Sequence, residues 1–143
     1  MRIILRTIIL SSVLLLSAGV ATAADFLVVV NESNATTTLT AREVANIFLK
    51  KRIQWNDGTK ITPVVLPDAN PASAAFDRQI LNKSIAALRA YWQQEIFSGR
   101  NIPPVERTSD EEVVAQVQKY PGAIGYLNGG AAHAGVRVVN VTD

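Results

Sequence analysis

The chain has 143 residues, carries no cysteine, and holds 14 Lys+Arg against 12 Asp+Glu. Lack of cysteine excludes disulfide staples, zinc–thiolate sites and cysteine nucleophiles. Arg2 and Arg6 account for the whole basic excess, since without them 12 cations face 12 anions, and a neutral remainder gives no global electrostatic reason to bind nucleic acid or anionic lipid.

Arg2 and Arg6 form a positive n-region, Thr7 to Val20 is mostly apolar, and Ala21-Thr22-Ala23 fits the small-x-small rule for cleavage. Residues 1–23 therefore read as a signal peptide cut after Ala23. The apolar run is short for a membrane span, so no stable membrane insertion is expected after cleavage. No cysteine stands at the cleavage site, which excludes a lipoprotein. Residues 24–143 are enough for one domain with its own core.

Phe26 to Val30 is a continuous apolar, β-branched run and reads as a strand buried on both faces, typical of the centre of a parallel sheet. Asn31 to Asn34 end it, and Ala35 to Leu39 is a threonine-rich connection. Thr40 with Glu43 forms a capping box, and Val44, Ile47 and Phe48 place one apolar stripe on the helix that follows. Lys50, Lys51 and Arg52 crowd its last turn, where cations suit the negative end of the dipole. Asn56-Asp57-Gly58 turns into a second strand, Ile61 to Leu66, and Pro63 argues that it starts near an edge. Strand, helix and strand so close in sequence predict a parallel, right-handed βαβ unit.

Asn70 caps a helix with Pro71 at its first position, running to about Asn82, its face given by Ala75, Phe76, Gln79 and Ile80. Ser84 caps a third helix with a stripe of Ile85, Leu88, Trp92 and Ile96, ended by Gly99. Arg100 to Thr108 is a loop stiffened by Pro103 and Pro104. Ser109 and Glu112 form a second capping box ahead of a helix with Val113, Val114 and Val117 inside. Ala123 to Leu127 and Val136 to Val141 are the last strands, joined by a small-residue loop.

Two motifs carry a resemblance. Ile47-Phe48-Leu49 with Trp55-Asn56-Asp57, and Tyr120-Pro121-Gly122-Ala123-Ile124-Gly125-Tyr126, are similar to the "LT…IFLGK…WND" and "PGAIGY" segments of phosphate-binding subunits of bacterial phosphate ABC importers. Lys50-Lys51 stands where that family has Gly-Lys. The resemblance implies an α/β fold: one three-layer domain with a mixed, mostly parallel sheet and helices on both faces, like one lobe of a type II periplasmic binding protein. It also implies a periplasmic, non-enzymatic solute-binding protein without cofactor or metal. Its implied partners are a small oxyanion such as phosphate, and an envelope protein or ABC permease.

At the ligand segment the chain departs from that family. Where the family has Arg-Ser-Asp-x-Ser-Gly-Thr, this chain has Leu66-Pro67-Asp68-Ala69-Asn70-Pro71-Ala72-Ser73, without the arginine that holds a phosphate bidentately. Asp68 stands near the family's aspartate. Ala72 and Ser73 offer backbone N–H groups at a helix start, with Asn70 and the Ser73 hydroxyl beside them. Asn31 and Ser33 face the same crevice if the βαβ reading holds. Asn31, Ser33, Asp68, Asn70 and Ser73 are thus the candidate ligand residues, with phosphate affinity expected near millimolar. His133 lies in a Gly/Ala loop with no acid, serine or ligand placed beside it, and no nucleophile–base pair suggests a hydrolase. The competing class is a periplasmic protein-interaction module that has lost its solute. An exposed apolar patch would favour that class, and a concave polar strand-end pocket would favour solute binding.

Overall fold

The computed structural model describes residues 25–143, so the signal-peptide reading of residues 1–23 lies outside the described residues. In chain order the elements are β1 (Phe26–Asn31), β2 (Thr38–Thr40), α1 (Ala41–Phe48), β3 (Thr62–Val65), α2 (Pro71–Phe76), α3 (Ile85–Phe97), β4 (Val105–Glu106), α4 (Asp110–Lys119), β5 (Ala123–Asn128) and β6 (Val136–Thr142). A π-helical turn, Asp77–Leu81, extends α2. The strands form one six-stranded sheet in the order β2-β6-β1-β5-β3-β4.

β1 is antiparallel to both its neighbours, β5 and β6, whereas β2–β6, β3–β5 and β3–β4 pair in parallel. One strand therefore runs against five, and the sheet is mixed and mostly parallel. This corrects the βαβ expectation: β5 lies between β1 and β3, and β1 runs opposite to β3. A run buried on both faces shows that β1 is central, not which way its neighbours point.

Side-chain alternation along β5 assigns the layers. A Cβ at Gly125 would meet Val113 Cγ1 at 2.7 Å, so this face carries α4. Tyr126 faces the other way, onto Phe48 of α1 (5.9 Å between ring centroids) and Phe76 of α2 (4.3 Å, stacked). Phe26 adds an edge contact to Phe76 at 5.4 Å. Helices thus cover both faces of the sheet.

Local capping signals hold. Thr40 Oγ1 accepts from Glu43 N and the Glu43 carboxylate accepts from Thr40 N, closing the box at α1. Ser109 Oγ accepts from Glu112 N, but the Glu112 carboxylate turns back to Thr108 instead of Ser109. α1 stops at Phe48, so Lys50 to Arg52 lie beyond its last turn. Lys50 sits at φ 55°, in the left-handed region where the similar family has glycine. Pro63 lies inside the sheet, one residue before β3 begins to pair with two-residue β4. Its missing N–H therefore leaves no gap in that ladder.

α3 departs most from its sequence pattern. Leu88 and Trp92 are only half-buried, Ile85 and Ile96 are exposed, and Glu95 is its one buried residue. Tyr91 Oη, donating to Leu49 O at 2.7 Å, and an exposed Arg89–Asp68 pair at 3.2 Å tie the helix to the body.

Candidate functional site

The antiparallel course of β1 separates the candidate residues. Asn31 and Ser33 leave β1 at one end of the sheet, whereas Asp68, Asn70 and Ser73 follow β3 at the other. They do not share a crevice. Asn31 is buried and fully engaged: its Nδ2 donates to Val117 O and Gln118 O at the end of α4, and its Oδ1 accepts from Ser33 N and Ser33 Oγ. Such a residue terminates a helix and closes a turn.

At the β3 end the donors are also occupied. Asn70 Oδ1 accepts from Ala72 N, and Asn70 O accepts from Ser73 N at 3.0 Å. Ser73 is buried; its Oγ donates to Leu66 O and lies 2.8 Å from Tyr126 Oη, which accepts from Leu66 N. Ser73, Tyr126 and Leu66 thus form a closed circuit. Burial, partly offset by the Ser73 hydrogen bond, pushes the Tyr126 phenol up to about 12, so it stays neutral. Asp68 is exposed and paired with Arg89. The helix start therefore offers no free oxyanion cradle.

Beside this circuit, between α3 and the end of β3, lies a cavity of about 310 Å³. Its walls are the aromatic face of Phe48, Phe76 and Tyr126, the residues Val65 and Leu66, Pro103 and Pro104, and the inner side of α3 at Leu88 and Trp92. The charged groups on it are Asp68, Asp77, Glu106 and Arg89. Asp77 is 7 % exposed, and burial, with Asp68 nearby, pushes its carboxyl up to about 6. The lining combines apolar surface with net negative charge, the opposite of a phosphate site.

Sequence reasoning missed Asp77, Trp92 and Tyr126 as cavity residues. The stripe on α3 marked Trp92 as inward-facing, but nothing local showed that its neighbours stand off. Arg107 binds Gln116 Oε1 and Glu106 O, away from any anion cradle. His133 is exposed, with Nδ1 3.0 Å from Ala131 O. Among the described residues no group of three or more His, Cys, Asp or Glu is placed to hold a metal ion, and no helix is long and apolar enough to cross a membrane.

The two resembling motifs meet in space. Trp55 is buried, and its Nε1 donates to Gly122 O at 3.1 Å. Gly122 O also accepts from Thr62 N, and a Cβ at Gly122 would strike Lys60 O. The tryptophan and the glycine are therefore parts of one joint that seats the turn after α1 against β5.

Comparison with known proteins agrees with this architecture. PstS from Borrelia burgdorferi superposes with a TM-score of 0.65 at 18% identity, over 82% of this chain and 47% of that one. A phosphate ABC transporter substrate-binding protein from Clostridium perfringens, solved with phosphate bound, gives 0.65 at 18%, over 82% and 44%. An ABC-type phosphate transport receptor from Vibrio cholerae gives 0.58 at 16%, over 82% and 46%. The chain spans less than half the length of these proteins, and at such identities the likeness is one of fold. No curated protein sequence matches the chain. The family model described as the PBP superfamily domain matches residues 21–140, and the chain belongs to that family.

Proposed function

We propose that this chain is an exported, non-enzymatic binding component of the cell envelope, acting in the periplasm after loss of residues 1–23. In this reading its strand-end crevice holds an apolar ligand group instead of phosphate. The observation that carries it is the cavity of about 310 Å³ beneath α3, walled by aromatic rings and fringed by carboxylates. The fold relationship to phosphate-transport proteins supports a binding role. The Ala72 and Ser73 N–H groups and the Ser73 hydroxyl already donate to Asn70 and Leu66, which argues against the anion. A helix terminus contributes only about 0.3–1 kcal/mol when exposed, and the arginine beside it, Arg89, is already paired with Asp68, so nothing here lifts phosphate affinity into the micromolar range.

The test is a melting-temperature panel on the purified chain, with small amphiphiles of positive, zero and negative charge alongside inorganic phosphate. A ligand that binds only the folded state raises the melting temperature. At least one probe with an apolar body should raise it and phosphate should not. A rise with phosphate alone would overturn the reading.

A second reading, an interaction module for an envelope protein or ABC permease, draws on one observation. Ile53, Ile96 and Ile102 are 58%, 51% and 69% exposed and line one groove beside the end of α3. Grouped exposed apolar side chains of this kind mark interaction surfaces. Silence across the whole panel would favour this reading over the first.

A further inference from the structure

We propose that the occupant of the cavity beneath α3 carries a positive charge on an apolar body, an organic ammonium or guanidinium group, with Asp77 as its counter-ion. This rests on the cavity being a binding site, as above, and names the chemistry it selects.

Asp77 is more than nine-tenths buried, lines the cavity, and its side chain makes no hydrogen bond or ion pair among the described residues. The Asp77 carboxylate oxygens are not sealed in the core but open, without a protein partner, onto the cavity, and a carboxylate held in so poorly hydrated a place gains from meeting a cation. Among the described residues no cationic side chain forms an ion pair with Asp77. Arg89, the one guanidinium on the lining, is 3.2 Å from Asp68. Arg78 and Lys83 flank Asp77 on its outer side and form no ion pair with it. Asp68 and Glu106 add two further carboxylates, so an entering anion meets repulsion and an entering cation does not.

The walls suit the same ligand. Phe48, Phe76, Trp92 and Tyr126 border the space, Phe76 and Tyr126 stacked on each other, and aromatic rings attract ammonium and guanidinium groups that approach a free face. The Tyr126 hydroxyl is held by Ser73 and Leu66, so it keeps its ring in place without offering a competing charge. Asp77 also opens the π-helical turn that interrupts the helix after Phe76, a local irregularity that recurs at functional positions.

Benzylammonium and its neutral isostere benzyl alcohol test the assignment, titrated at pH 7.5 against the purified chain and read by melting temperature and by calorimetry. Benzylammonium should bind at least tenfold more tightly than benzyl alcohol, and Asp77→Asn should remove that preference while the chain still melts cooperatively. Equal binding of the two probes, or an unchanged preference in Asp77→Asn, would overturn the counter-ion role while leaving an apolar site in place. No response to either would overturn both the role and the site. The wild-type comparison decides by itself if Asp77→Asn does not fold.

Discussion

Burial holds the Asp77 carboxyl at about 6, against its ordinary 3.8, and that difference has a sign for stability. The folded chain keeps the proton more tightly than the unfolded one. The favourable contribution is therefore complete below about pH 4 and is lost as pH rises through about 6. A displacement of about two units corresponds to roughly 3 kcal/mol at most. Asp77→Asn removes the titration, so its stability relative to the natural chain should grow from near zero at pH 4 to as much as about 3 kcal/mol at pH 8, measured by denaturation at each pH. A flat difference across that range would show that Asp77 is not desolvated. Glu43, Glu95 and Glu112 act in the other direction, each held below the ordinary carboxylate range chiefly by hydrogen bonds from Thr40, Asn101 and Thr108. Only the comparison of the two chains isolates Asp77. Nothing in the local sequence distinguishes this aspartate from a solvated one. Its burial follows from a helix that becomes π-helical at that residue and from rings contributed by α1 and β5. Asn31 shows the converse: the sequence marks a polar strand end, but its partners on α4 lie 86 and 87 residues away.

At the scale of elements, two apolar stripes that look alike in sequence have different surroundings. Phe48 on α1 is 1% exposed, 4.7 Å from Phe76 and 5.9 Å from Tyr126. Trp92 on α3 is half-buried against Tyr91 and the cavity. Phe48→Ala should therefore cost about 3–5 kcal/mol in chemical denaturation, and Trp92→Ala only about 1 kcal/mol, because a truncated side chain beside an existing void loses few neighbours. Equal costs would mean that α3 closes down on the sheet in solution. Capping boxes and turns were legible because they are settled within four residues. The packing of α3 was not, since amphipathicity states which face a helix can bury, not whether a neighbour comes close enough to bury it.

For the whole molecule, the sequence motifs located the fold better than they located a site. Trp55, Gly122 and Gly125 occupy positions where the turn after α1, β5 and α4 come together. They report the architecture that this chain shares with the phosphate-transport proteins. Strand order was the part least open to reading, because β5 and β6 insert beside β1 from more than 90 residues away and reverse the expected pairing with β3. That reversal also divides the candidate residues between the two ends of the sheet. The β3 end of the sheet is closed to anions and, as proposed above, open to apolar groups. Calorimetric titration of the purified chain with inorganic phosphate tests this most directly. No binding tighter than about millimolar, about −4 kcal/mol, is expected. Saturating heats with a micromolar dissociation constant would contradict it.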